Sequence, residues 1–102
     1  MNEGWYINYD GEKHIIKSSV LYLESRYITE LFIPNGVKEV WCNCNYLTKL
    51  DLPDTVEWID CRFNGLTELI CPDNCIVDCD PNVKLITRTM YNRSIKLKAI
   101  LK

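Results

Sequence analysis

Six cysteines and a single histidine are the residues in this 102-residue chain whose types could do chemistry. The cysteines fall as Cys42-Asn43-Cys44, a lone Cys61, and a run of Cys71, Cys75 and Cys79. Such a density invites a zinc site or a disulfide framework. The spacing argues against both. Cys42 and Cys44 are closer together than the pair of a zinc knuckle, the later run lacks a partner pair, and His14 lies far away. No metal or other cofactor is expected, and reduced thiols in a reducing compartment are the default. No nucleophile–base–orienter set, glycine-rich phosphate loop or distinctive carboxylate pair stands out. His14, alone in a β-prone stretch, reads as a surface or cap residue. The sequon Asn92-Arg93-Ser94 would matter only in a secreted chain. Neither catalysis nor a small-molecule substrate is expected.

The cysteines make more sense as parts of a repeat. In Val56–Leu69 the apolar residues Val56, Ile59, Cys61, Leu66 and Leu69 surround one fixed polar residue, Asn64. Shifted back by 19 residues, the same slots hold Val37, Val40, Cys42, Asn45, Leu47 and Leu50. A further shift gives Leu21, Leu23, Arg26, Ile28 and Leu31, with Arg26 where the asparagine is expected. Ile28-Thr29-Glu30-Leu31-Phe32-Ile33-Pro34 returns as Leu47–Pro53 and as Leu66–Pro72. Asp78-Cys79-Asp80-Pro81-Asn82 answers Asp60–Asn64 at an offset of 18. Cys42, Cys61 and Cys79 therefore share one slot, and Cys71 replaces Ile33 and Leu52 in another. In these slots cysteine acts as a small hydrophobe.

The spacing L-x-x-L-x-L-x-x-N-x-L, with cysteine in the third apolar slot, resembles the leucine-rich repeat. The resemblance covers about residues 20 to 83. It is similar to the short repeats of bacterial secreted effectors, and to cysteine-bearing repeats of large-virus and phage proteins. It implies a mainly β solenoid: a right-handed coil with a parallel sheet on its concave face. The short period leaves no room for a convex helix, so the return side should be extended or tightly turned. Asn45, Asn64 and Asn82 would point inward and satisfy backbone groups of the turns. Effectors of this kind often carry a separate ubiquitin-ligase domain with a Cys-x-Asp site. Cys71-Pro72-Asp73 has those letters, but Cys71 is in a core slot and no residues remain to build that domain.

The chain is expected to be one domain, with a cap hairpin over residues 1–17, about four coils over 18–83, and a C-terminal strand and helix cap over 84–102. Trp5–Tyr9 and His14–Ile16 are β-prone around a two-residue Asp10-Gly11 turn. Val83–Thr89 should be extended, and Asn92 is a candidate N-cap for a helix reaching Leu101. Hydrophobic residues make up 47% of the chain and charged ones 25%, the mix of an ordinary globular protein. No apolar run is long enough to span a membrane. The polar, acidic start MNEGWYINYDGEKH is not that of a secretory signal, so a cytoplasmic location is expected, the host's if the chain is viral or an effector. No acid follows Asp80, whereas Lys84, Arg88, Arg93, Lys96, Lys98 and Lys102 do. This basic tail reads as a solvated cap or docking face; with no interleaved aromatic beyond Tyr91, nucleic acid is not the expected partner.

Strand alternation sends one residue of each repeated strand outward. The central outward column is Tyr22, Trp41, Asp60 and Asp78, preceded by Val20, Glu39, Trp58 and Ile76 and followed by Glu24, Asn43, Arg62 and Asp80. Tyr22, Glu39, Trp41, Asn43, Trp58, Asp60, Arg62 and Asp78 are the candidate partner-binding residues. Exposed aromatics ringed by charge are the make-up of a binding hot spot. The alternative is that the tryptophans shield the sheet, on each other or under the hairpin. The expected function is non-enzymatic binding of a protein partner through the concave face. A small viral or phage inhibitor that occludes a host or defence protein is a second reading. Self-association through open solenoid ends is a third.

Overall fold

The computed structural model describes residues 3–100. Among them the elements run β1 (Gly4–Asn8), β2 (Lys13–Ile16), β3 (Val20–Tyr22), β4 (Ile28–Phe32) and β5 (Glu39–Trp41). There follow β6 (Trp58–Asp60), β7 (Glu68–Cys71), β8 (Ile76–Asp78), β9 (Lys84–Thr87) and α1 (Arg88–Ile100). Strands β3, β5, β6 and β8 form a parallel sheet in that order, with Val20, Glu39, Trp58 and Ile76 in register. The chain is thus a β-solenoid of about four turns.

Each strand of this sheet is three residues long because the coil must turn away at once. The middle residues Leu21, Val40 and Ile59 are buried, and the flanking residues face the other way. Behind them Leu23, Cys42 and Cys61 stack, then Ile28, Leu47 and Leu66, and on the return side Ile33, Leu52 and Cys71, all buried. Cysteine fills a hydrophobe's slot, as expected. Cys79 is only half-buried, since no further coil packs on its far side. The return side is extended, without a convex helix: β7 pairs in parallel with β9, and Asp51 bridges Ile70.

Asn45 and Asn64 do point inward. Asn45 Oδ1 accepts from the Arg26 and Ile28 N–H groups at 3.0 and 2.9 Å, and its Nδ2 donates to the Leu23 and Cys42 carbonyls at 2.8 and 3.0 Å. Asn64 repeats this with the Leu47 N–H at 2.9 Å and the Cys42 carbonyl at 3.0 Å. The first turn, which lacks its asparagine, is closed by Asn45 from the next coil and by Asn8 Nδ2, which donates to the Arg26 carbonyl at 3.2 Å. The inward placement expected of Asn82 is wrong: it is exposed. The residue before each inward asparagine is left-handed, with φ of 60° at Cys44 and 58° at Phe63, and Ser25 matches at 54°. At the offset of 18 that position is Pro81, whose ring holds φ near −65°. The asparagine turn cannot form there, and the Asp80 carboxylate accepts from the Phe63 N–H instead.

The caps differ from expectation in three respects. The hairpin turn spans Tyr9 and Asp10, closed by the Gly11 N–H on the Asn8 carbonyl at 2.9 Å, with left-handed Gly11 (φ 84°) behind it. β1 pairs antiparallel with β4, so the hairpin extends the return side and leaves the outer edge of β3 unpaired. The helix starts earlier than Asn92. Thr87 is its N-cap, its Oγ1 accepting from the Met90 N–H at 3.2 Å, and Asn92 lies inside the helix. The expected end at Leu101 falls outside the described residues. Pro34, Pro53 and Pro72 open the turns that feed the next strands, their carbonyls accepting from Val37, Val56 and Cys75. No described helix is long and apolar enough to cross a membrane.

Candidate functional site

The outward face of the β3-β5-β6-β8 sheet carries all eight candidate residues on or beside its strands. Its register places Tyr22, Trp41, Asp60 and Asp78 in one row and sets Trp58 beside Glu39, so Trp41 and Trp58 are diagonal neighbours. Their ring centroids are 4.4 Å apart at 44°. Tyr22 extends the stripe, stacked on Trp41 at 6.3 Å. The Trp41 Nε1–H donates to Glu39 Oε1 at 2.7 Å, which fixes the ring and ties an acid to the aromatic centre. Both tryptophans are half-buried, Tyr22 is 61% exposed and Ile76, next along the Trp58 row, is 66% exposed.

The tryptophans do pack on each other, but the hairpin does not cover them. Among the described residues β1 packs between β2 and β4, and neither hairpin strand packs on β5 or β6. The stripe stays open to solvent on its outer side.

Asp60 departs from expectation. It occupies the outward row, yet it is only 2% exposed. Arg62 folds over it, donating from Nε and Nη2 to the two carboxylate oxygens at 3.0 and 2.9 Å. The Arg62 N–H adds a third bond at 3.2 Å, and Asp78 lies 3.5 Å from Arg62 Nε. Those hydrogen bonds, opposed by burial, hold the Asp60 carboxyl below the usual aspartate range, and the same pairing raises Arg62. Asp60 is thus the seat of Arg62, and only Arg62 and Asp78 of this trio can meet a partner. Asn43 is half-buried, and its Oδ1 has no hydrogen-bond partner among the described residues.

A second aromatic row lies where the coils leave the sheet, and sequence reasoning missed it. Tyr9 meets Tyr27 at 5.5 Å, and Tyr27 meets Tyr46 at 6.0 Å; all three are exposed. The 19-residue spacing of Tyr27 and Tyr46 was the available signal.

Of the six thiols, Cys42, Cys61 and Cys71 are buried, Cys75 and Cys79 half-buried and Cys44 exposed. Burial raises Cys42 and Cys71 and pushes Cys61 up to about 12 and Cys75 up to about 11. In Cys71-Pro72-Asp73 the cysteine is buried, and the Asp73 carboxylate is taken by the N–H and hydroxyl of Thr89. No cluster of three or more metal-ligating side chains occurs among the described residues. No protein-family profile, curated protein or solved structure matches the chain.

Proposed function

We propose that this protein is a non-enzymatic interaction module of the leucine-rich-repeat type, which binds a protein partner through the outward face of its four-stranded sheet. The observation that carries this is the Trp41–Trp58 pair, in contact at 4.4 Å, left open by the hairpin and flanked by Tyr22 and Arg62. Large rigid aromatics beside an arginine are the residue types that dominate binding energy when a partner excludes water from them. The Asp60–Arg62 clamp presets the guanidinium, lowering the ordering cost of contacting it. An inhibitor that occludes its target is one form of this activity. The test is capture of a partner by the wild type and by Trp41→Ala/Trp58→Ala, with folding of both checked by thermal melting. A partner held equally by both overturns the assignment of this face.

A further inference from the structure

Helix α1 is the least explained element of the fold. None of its 13 residues is buried, and Met90, Ile95, Leu97 and Ile100 are all at least half exposed. A helix this short is marginal in water without packing. Its base is fixed: Arg88 Nη2 donates to the Leu52 carbonyl at 2.6 Å and Arg88 Nε to Asp54 at 3.3 Å. Beyond that staple it offers exposed apolar side chains and the cations Arg93, Lys96 and Lys98, with no acid.

The complementary surface is on the same molecule. The Trp41–Trp58 face is apolar at its centre, where Glu39 is held on Trp41, with exposed Tyr22 and Ile76 at its ends and Asp78 adding a second acid beside Arg62. Yet among the described strands α1 packs only on β7 and β9, on the return side, and on no strand of the sheet that bears the tryptophans. Among the described residues of one chain the two do not meet.

We infer that α1 of one copy docks on the Trp41–Trp58 face of a second copy. The inference rests on the reading of that face as a binding surface and names its resting occupant. Contact of helix with face is heterologous, so the product is a ring or a chain of copies. Any other partner would have to displace the helix.

Sedimentation equilibrium across protein concentrations tests this, using two full-length charge-reversal variants. One is Arg93→Glu/Lys96→Glu/Lys98→Glu on the helix, and the other Glu39→Lys/Asp78→Lys on the face. The wild type should self-associate, more weakly as salt rises from about 0.01 to about 1 M and the screening length falls from about 30 to about 3 Å. Each variant alone should lose at least about tenfold in affinity, and an equimolar mixture should recover it, because the acidic helix then meets the basic face. A monomeric wild type overturns the docking. So does salt-insensitive association that both variants retain, the signature of pairing through the open edges of β3 and β8, and so does a mixture that stays monomeric. Capture of another protein that depends on Trp41 and Trp58 reads the face separately, so the face can stand where the helix docking fails.

Discussion

Trp41 and Trp58 stand on adjacent strands, two residues apart in register, with ring centroids 4.4 Å apart and no hairpin strand over them. Half-buried, each ring gains contact mainly from the other and from the sheet beneath, and Trp41 also from Tyr22. Truncating either should therefore cost folding little. Trp41→Ala and Trp58→Ala are each expected to change unfolding free energy by within about 1 kcal/mol, and a double-mutant cycle should show coupling of about 0.5–1.5 kcal/mol. Partner binding should be lost in both. Large destabilisation with affinity intact would assign the rings to shielding.

The asparagine ladder gives a graded series. Replacing Asn64 by Leu orphans the Leu47 N–H and the Cys61 carbonyl and should cost about 1–3 kcal/mol in urea unfolding. Asn45→Leu should cost more, because Asn45 serves two N–H groups where Asn64 serves one. Asn82→Leu should stay within about 0.5 kcal/mol, as for other exposed positions. Equal losses at all three would contradict the break at Pro81.

Asp60 sets an acid-side signature. Its carboxyl titrates lower in the folded chain than in the unfolded one, so its pairing stabilises fully above the unfolded value near about 4. That stability is lost as pH falls through the lower folded value. Arg62→Gln removes the main cause of the depression. The variant should be less stable than wild type at neutral pH, and the gap should shrink below about pH 4 as the carboxyl protonates. Melting temperatures at a series of pH values read this directly; a gap that widens in acid would refute the clamp.

Thiol labelling separates core from surface. Cys44 is exposed and should react at once with a maleimide in the native protein. Cys42, Cys61 and Cys71 are buried and should be labelled only after denaturation. Mass spectrometry of the labelled peptides locates each adduct. Rapid native labelling of Cys71 would revive a catalytic reading of Cys71-Pro72-Asp73.

Much of the frame was legible because a solenoid writes its packing into local periodicity. The slots of Val40, Cys42, Leu47 and their copies dictated which side chains face inward, and the register of Glu39 with Trp58 followed from the 19-residue shift alone. The helix start was misplaced because its first turn is capped by Thr87 and also by Asp73 from another coil, which accepts from the Thr89 N–H. The end of the asparagine ladder was missed because the repeat letters continue through Asn82 while the backbone dihedral required at Pro81 is forbidden.

The candidate site divides in the same way. By itself the sequence determined that Trp41, Trp58 and Tyr22 would share the outward face, since strand alternation and stacking in register are properties of the repeat. Only the tertiary structure decided that Asp60 is buried beneath Arg62, that the hairpin joins β4 and leaves the tryptophans open, and that Tyr9, Tyr27 and Tyr46 form a second row. Those outcomes depend on which neighbouring coil or cap reaches a side chain first, and a periodic pattern carries no record of that competition.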